Sequence, residues 1–571
     1  MCELNSVGRG ASLGKSSIGL YPSSTRGFAP GSSLLWTPLL VVGFAAFLVE
    51  VPFFFLGTPS GHDVEFHLYS WLDVLAQWHQ GIIFPRWAAL ANFAGGEPRF
   101  LFYPPASWTL GAALSTIFPW TIVACVYMWI ALVAAGSSMF VLARRWLGRR
   151  DAMFAAALYA VNPYHLVIVY WRSAFAELLA SCLLPLLLLL VLKAAAGERR
   201  VILPLSFVLA AAWLTNAPAA VMIHYSVALL ILFFAWQKRS PRILMVGAGA
   251  VALGACLAAF YLLPATYEQR WVNIGGAVIA GLRPQDGFLF THTTDLDHDN
   301  FNRLVSWVAI AEIVATLTAA GAAKLWRTKY RDLWNGLTVW AVACSLLMFS
   351  ITGLLWRVLP KLRFVQFPWR LLLCLSLCLS LLVALSVSRW WGRLAVCLAL
   401  LLVLVAAGRR YQMPWWDHAA DLREMQDNMA EGTGYEGVDE YTPLGADASN
   451  LEPDTRHVRV DGPAHAAIRV FYWNAESKMF TAEMSAPDQL ALRLFRYPAW
   501  KVEVNGRVVE TAAREGTGQM LVPVEAGMNR VQITFIRTWD RTAGGWITFV
   551  TGISVGVWVL MARRRTTPAP V

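Results

Sequence analysis

Charge is what this 571-residue sequence is shortest of: only 15% of its residues are Asp, Glu, Lys or Arg. An average soluble protein carries about 25%, so most of this chain cannot be covered by an ordinary water-facing surface. Cysteine is also scarce where it would matter. Seven of the eight cysteines (Cys125, Cys182, Cys256, Cys344, Cys374, Cys378 and Cys397) lie inside apolar runs, the eighth is Cys2, and residues 411–542 contain none. A disulfide framework and a Cys-based metal centre are thereby excluded from the polar part of the chain. Cys374 and Cys378 share a helix face and read as packing thiols. The first apolar run, 34–56, lacks a cleavage site and is too long for a signal-peptide core, so it is expected to stay as the first span. The formal net charge of +11 does not imply nucleic acid as a partner, because the basic residues sit in short clusters between apolar runs, as membrane orientation requires.

What is abundant is apolar length. Hydrophobic residues make up 57% of the chain and Trp alone occurs 27 times, which suits long lipid-embedded runs bordered by aromatic belts. Twelve runs are expected to span, near 34–56, 121–143, 152–170, 174–192, 201–216, 218–236, 243–263, 303–323, 333–356, 367–388, 391–408 and 544–561. Basic clusters fall at Arg144/Arg145/Arg149/Arg150, Lys193/Arg199/Arg200, Lys238/Arg239/Arg242, Lys324/Arg327/Lys329/Arg331, Arg389/Arg393 and Arg563/Arg564/Arg565. All share the cytoplasmic side if both termini are cytoplasmic and the segment 104–119, short and opened by Pro104-Pro105, does not cross.

The expected organisation is a disordered cytoplasmic N-terminus (1–33), then a multi-span domain (34–408) with outer loops 57–120 and 264–302. An extracytoplasmic β-rich domain (409–542) and a last span with a basic cytoplasmic tail (543–571) follow. In the β-rich domain the period changes to two: 531–536 alternates as a strand, and 500–504, Asn505-Gly506 and 507–509 read as a hairpin with a two-residue turn. Residues 490–495 and 520–524 supply further strands of a small antiparallel sandwich. The fold class is therefore an α-helical polytopic membrane protein with a C-terminal extracytoplasmic β-sandwich and a final membrane helix.

Three groups of residues could carry chemistry. In the first outer loop, Asp63 and His67 are four apart and share a face if the segment is helical, while Glu65 points elsewhere. Ser60 before Asp63 also fits a helix cap. Second, Arg86, Arg172, Arg270, Arg357, Lys361, Arg363 and Arg370 fall near outer helix ends, the side disfavoured for cations. Lipid-headgroup pairing is one reading and a lipid-phosphate site the other, since Arg grips phosphate bidentately. Arg172 and Glu177 are spaced wrongly for a same-face helical pair, so neither is expected to be neutralised locally. Third, Asp295, Asp297 and Asp299 alternate like part of a calcium loop whose glycine and distal glutamate are missing, so a solvated acidic loop is expected and metal binding is the minority alternative. Inside the spans, His224 and Glu312 are expected to be hydrogen-bonded within the bundle.

Several motifs together resemble the bacterial membrane family labelled "6-pyruvoyl-tetrahydropterin synthase-related". They are Gly61-His62-Asp63 with Phe66-His67, Phe84-Pro85-Arg86-Trp87, Gly95-Gly96-Glu97-Pro98, Phe102-Tyr103-Pro104-Pro105, Arg172-Ser173-Ala174-Phe175-Ala176-Glu177, Gln366-Phe367-Pro368-Trp369-Arg370 and the run 434–441. The run 497–504 is similar to the terminal sandwich of the related YfhO-type proteins. The pterin activity in the family label is not carried over, because the zinc-binding histidines of that soluble fold are not here.

What the resemblance implies is the glycosyltransferase C superfamily: a bacterial plasma-membrane enzyme moving a sugar from a polyprenyl-phosphate donor to an extracytoplasmic glycan, lipid or protein acceptor. Its essential acid maps to Asp63, with Glu65 second; Arg370, Arg86 and Arg172, cations on the disfavoured side within these motifs, are the expected donor-phosphate contacts. The resemblance fixes no cofactor. Asp-Val-Glu stands in place of the commoner Asp-x-Asp, which leaves a divalent metal open. The rival readings are a lipid or polysaccharide flippase or transporter and a non-catalytic scaffold presenting the β-domain.

Overall fold

The computed structural model describes residues 33–326, 330–451 and 456–564. Met1–Thr37 and Pro38–Val571 form two compact units. Of the first, only the opening turn of the helix Ser33–Glu50 is described, and everything below concerns the second. The expected disordered N-terminus, the tail beyond 564 and the basic residues Arg327 and Lys329 lie outside the described residues.

The chain is a multi-pass membrane protein. Among the described residues, nine helices are long and apolar enough to cross a membrane, and two further helix pairs qualify if each bent pair is one span. Two of the expected spans are bent. The run near 243–263 is Pro241–Leu257 followed by Ala259–Trp271, bent by 78°, and the run near 333–356 is Arg331–Leu347 followed by Ser350–Val358, bent by 91°. Hydropathy sums composition and carries no direction, so it reads through a bend. The run near 201–216 is a helix of only 14 residues, Ile202–Thr215. The segment after Pro104 forms the 11-residue helix Pro105–Ser115, which at 1.5 Å per residue reaches roughly half of a ~30 Å hydrocarbon core.

Helix Leu372–Ser386 is buried on every side, against Leu296–Trp326, Arg331–Leu347 and Arg149–Ala160. Such all-round apolarity marks a helix at the centre of a bundle. Its Ser376 donates to Glu312 (2.8 Å), which also accepts the backbone N–H of Tyr164 (3.1 Å). His224 Nδ1 lies 2.7 Å from the Ala220 carbonyl, so both intramembrane groups are satisfied as expected. The last helix, Trp539–Arg564, is the opposite case: it rests on Pro241–Leu257 and Ala259–Glu268 and is otherwise open.

At one end of the bundle a two-stranded ribbon pairs β1 (Thr58–Pro59) with β2 (Trp416–Asp417). The β-rich domain follows, with strands β3 (Val458–Val460), β4 (Ala466–Trp473), β5 (Ser477–Met484), β6 (Asp488–Phe495), β7 (Trp500–Val504), β8 (Arg507–Val508), β9 (Ala512–Ala513), β10 (Gln519–Val524) and β11 (Gly527–Phe535). They form two antiparallel sheets, β3-β6-β10-β9 and β4-β5-β11-β7-β8. The alternation is visible in β11, where Val531, Ile533 and Phe535 are buried. The expected hairpin joins β7 to β8 with Val504 opposite Arg507. Asn505 (φ 51°) and Gly506 (φ 77°) both sit in the left-handed region, as a two-residue hairpin turn matching strand twist demands.

The domain is seated on the first long loop. Trp87 is fully buried against Tyr497, Trp500 and Phe535. Beside it, Arg541 at the start of the last helix grips Glu268 through two 2.7 Å bonds, and Tyr497 donates to the same carboxylate at 2.6 Å. All three side chains are buried. A bidentate pair with its remaining lone pairs satisfied is the geometry in which a buried charge is tolerated.

Candidate active site

The site is built where three chain segments that are distant in sequence end together. The first is 57–67. Gly61 N–H donates to Ser173 Oγ (3.0 Å), His62 N–H to the Trp171 carbonyl (3.2 Å), and Asp63 N–H to the Arg172 carbonyl (2.8 Å). The backbones run so close that a β-carbon on Gly61 would sit 2.4 Å from the Arg172 carbonyl carbon; glycine is the residue that fits. The second segment is 168–177. A π-helical turn, Ile168–Arg172, ends at Ser173 in the left-handed conformation (φ 48°), and a new helix begins at Phe175. Such π turns interrupt helices at functional positions. The third is 365–370, where Phe367 N–H donates to the Val365 carbonyl (2.9 Å) around Gln366 at φ 65°, ψ −71°. This is the rarer, strained hand of the γ-turn, and it delivers Trp369 and Arg370.

Four ionisable groups meet there. Arg172 donates Nη2 to Asp63 Oδ2 at 3.1 Å and Nη1 to Glu177 Oε2 at 2.5 Å. Tyr164 donates its hydroxyl to Glu177 Oε1 (2.6 Å). Arg370 Nε lies 3.5 Å from Glu177 Oε2 without hydrogen-bond geometry, and no partner satisfies that buried nitrogen. Its Nη1 donates to the Val365 carbonyl (3.2 Å). The guanidinium of Arg172 lies over Trp369 and that of Arg370 over Phe367, whose rings stack at 4.9 Å. The expectation that Arg172 and Glu177 stay unpaired is corrected: the break at Ser173 turns the chain, so helical spacing does not apply across it.

Asp63 is the residue of the group that faces outward. Its side chain is 38% exposed, against 4% for Arg172 and 2% for Glu177. It occupies the cap position of helix Val64–His79, but its side chain makes no capping bond. The carboxylate points at Arg172 instead, which decides against the cap reading. Burial pushes its pKa up, but Arg172, Arg370, His67 and His62 together outweigh that and hold it below the usual carboxylate value. His67 is enclosed by Phe66, Trp71, Tyr103 and Phe175, and burial lowers its pKa to about 4 despite Asp63. It is neutral at pH 7 and lines the wall behind the carboxylate.

The other expected residues fall elsewhere. Glu65 is exposed on the far face; burial and the neighbouring Asp417 and Glu436 raise its pKa. Arg86 lies over Phe84, within electrostatic reach of Arg541, Glu268 and Glu476 under the β-domain, and desolvation lowers its pKa to about 10. It belongs to the domain seat and not to the group around Asp63. Asp295 caps the helix Leu296–Trp326 through bonds from the backbone of Asp297 and His298 (2.9 and 3.2 Å). Asp299 pairs with Arg303 (2.9 Å) and with His292 (3.1 Å). Asp295 and Asp299 are thereby taken up in local structure, and among the described residues no group of three or more His, Cys, Asp or Glu side chains could hold a metal.

A second buried network adjoins the first and was not read from the sequence. Arg99 pairs with Glu97 (2.6 Å) and donates to Ser70 Oγ (3.0 Å). Glu97 also accepts from Asn92 Nδ2 and from the backbone of Val438, both at 3.0 Å. Asp73 accepts from Gln77 (2.8 Å) and from the Tyr435 hydroxyl (3.0 Å), and the Tyr435 ring stacks on Tyr69 at 4.8 Å. The run 434–441 is thereby pinned to the first loop. The available signals were an acid, Asp73, in the apolar stretch Trp71–Ala76 of helix Val64–His79, and Arg99 directly after Gly95-Gly96-Glu97-Pro98.

Comparison with solved structures gives distant likenesses. The Archaeoglobus fulgidus oligosaccharyltransferase in its apo form is 13% identical, with a TM-score of 0.41, over 75% of this chain and 62% of that one. The arabinofuranosyltransferase AftD from Mycobacteria is 18% identical, TM-score 0.38, over 67% and 28%. ArnT from Cupriavidus metallidurans bound to undecaprenyl phosphate is 13% identical, TM-score 0.29, over 76% and 92%. The chain thus spans less than two thirds of the archaeal enzyme and of AftD. No family model matches the chain, and no curated protein matches it.

Proposed function

We propose that the chain is a membrane glycosyltransferase of the C superfamily, with Asp63 as its base and Arg370 as its contact to the phosphate of a polyprenyl-linked donor. One observation carries the reading. A carboxylate at a helix cap position forgoes the cap and is held, half exposed, by a buried arginine that a second buried carboxylate anchors. A structural ion pair has no need of an open acid; a base must have one. The motif resemblance supports the same assignment.

The acceptor hydroxyl attacks the anomeric carbon, the bond from that carbon to the phosphate oxygen breaks, and the hydroxyl proton passes to Asp63. Oδ2 is occupied by Arg172, which leaves Oδ1 for the acceptor. Arg172 is a positioning residue: it fixes the carboxylate and keeps it ionised. A low pKa is no obstacle, because the acceptor proton becomes acidic only as the new bond forms. Arg370 brings a buried guanidinium nitrogen that no protein group satisfies, and charge stabilisation of the departing phosphate is commonly the largest catalytic term. The chain is further proposed to lie in a bacterial plasma membrane with both termini cytoplasmic and the β-domain outside. There the β-domain and the run 434–441 would border the acceptor side.

The decisive measurement is sugar transfer and thermal stability of Asp63→Asn beside Glu65→Gln, with a panel of polyprenyl-phosphate sugars. Loss of a positioned base is expected to cut turnover by about two to four orders of magnitude at nearly unchanged donor affinity. A stable Asp63→Asn protein with near-normal transfer would refute the assignment, and loss only in Glu65→Gln would move the base by two residues.

A further inference from the structure

The end of the bundle opposite the β-domain carries a groove that the proposed chemistry does not use. It lies between the last turn of helix Ala217–Lys238 and the first turns of helix Arg331–Leu347, and encloses about 530 Å³. Trp236, Gln237 and Arg239 face Arg331, Trp334 and Thr338 across it. Two basic clusters separated by some ninety residues in sequence thus become one site. Lys238 does not contribute free charge: it is tied to Asp332 by bonds of 2.8 and 2.7 Å that bridge the two helices. Among the described residues, Arg239 and Arg331 have no carboxylate partner, so the groove keeps two uncompensated positive charges. Arg331 also stands in the first turn of a 17-residue helix, whose N-terminal dipole favours an anion.

The walls say what kind of anion. Trp236 is 77% exposed, and indole rings of this kind belong at the headgroup level of a bilayer. Gln237 Oε1 and Thr338 Oγ1 are buried polar atoms that no protein group satisfies, an expensive state beside hydrocarbon that headgroup hydroxyls or their water would relieve after a side-chain rotation. Paired arginines above an aromatic and apolar wall complement a phosphate that has acyl chains attached. A free phosphate would use only the upper half of the site.

We propose that this groove binds the headgroup of an anionic phospholipid from the leaflet opposite the β-domain. The site is independent of Asp63 and of the transferase reading. The test is native mass spectrometry and tryptophan emission of the full chain in detergent micelles doped with phosphatidylglycerol or phosphatidylcholine, with and without millimolar inorganic phosphate. Phosphatidylglycerol is expected to be retained preferentially and to shift the emission. Basic residues near a charged lipid surface contribute about 1 kcal/mol each, so Arg239→Gln/Arg331→Gln should lower retention about thirty-fold. Trp236→Leu, which leaves both charges in place, should keep the lipid preference while losing most of the emission response. Equal retention of both lipids, unchanged retention in the double variant at an unchanged melting temperature, or displacement of the lipid by inorganic phosphate alone would each overturn the proposal.

Discussion

At the scale of single residues the site is a lesson in which partner a charge can lose. Glu177 is buried and held by Arg172 and Tyr164, with Arg370 a more distant neighbour. Arg172→Gln strands that carboxylate and releases Asp63, and breaking a buried pair from one side typically costs roughly 3–5 kcal/mol. Arg370→Gln leaves the Arg172–Glu177 pair intact. Differential scanning fluorimetry is therefore expected to show a large fall in melting temperature for Arg172→Gln and little change for Arg370→Gln. Donor binding, measured on the same samples, should weaken in Arg370→Gln. If the two variants melt alike, the assignment of anchor and phosphate contact is wrong.

The same residues set a pH signature. Because Asp63 is held below its ordinary value, it stays ionised down past about pH 3.9, and both the catalytic role proposed for it and the stability it lends through Arg172 should persist above that point and fade only as pH falls further. A base at Glu65, whose pKa is raised, would instead place the acid limb above about 4.3. His67, at about 4, adds no inflection between pH 5 and 8. A kcat profile over pH 3.5–8 distinguishes these: a flat profile down to about pH 4 is expected for Asp63, and an acid limb centred above about pH 4.3 would point to Glu65.

At the scale of elements, the site depends on interruptions. The break at Ser173, the γ-turn at Gln366 and the close approach of Gly61 to Arg172 each place a functional group that a regular helix would have pointed elsewhere. Gly61→Ala puts a methyl group into backbone atoms that cannot step aside, an overpacking of the kind that costs about 1–3 kcal/mol or more. It should also separate Asp63 from Arg172, so activity is expected to fall further than stability alone explains. Gly321→Ala is the control: it lies inside helix Leu296–Trp326 with nothing within 4 Å of the added carbon, and should be neutral or stabilising by up to about 1 kcal/mol. Normal transfer by a folded Gly61→Ala protein would show that the contact is dispensable.

At the scale of the whole molecule, the bundle has two unlike ends. One carries the ribbon β1–β2, the buried networks around Asp63 and Asp73, and the β-domain. The other carries the basic clusters and the groove at Arg239 and Arg331. The clusters should face the cytoplasm. A single cysteine placed in the exposed β7–β8 turn at Asn505 is expected to react with a membrane-impermeant maleimide in intact cells, and one at Arg150 only after lysis. The reverse pattern would invert the topology and put the site on the cytoplasmic side.

What the sequence determined by itself is whatever depends on neighbours along the chain. Apolar length marked the spans, alternation marked the strands, and Asn505-Gly506 marked the hairpin. All of these are local, because a helix or a strand writes its environment into residues a few positions apart. What only the tertiary structure decided is which charges meet. Asp63 and Arg172 are 109 residues apart and Asp73 and Tyr435 are 362 apart, and no local period links them. The two bends, the pairing of Arg172 with Glu177 across a broken helix and the removal of Arg86 to the seat of the β-domain arise the same way. Where a chain turns is fixed by what packs against it and by which buried charge must find its counter-charge, and neither is written in the hydropathy of the turning segment.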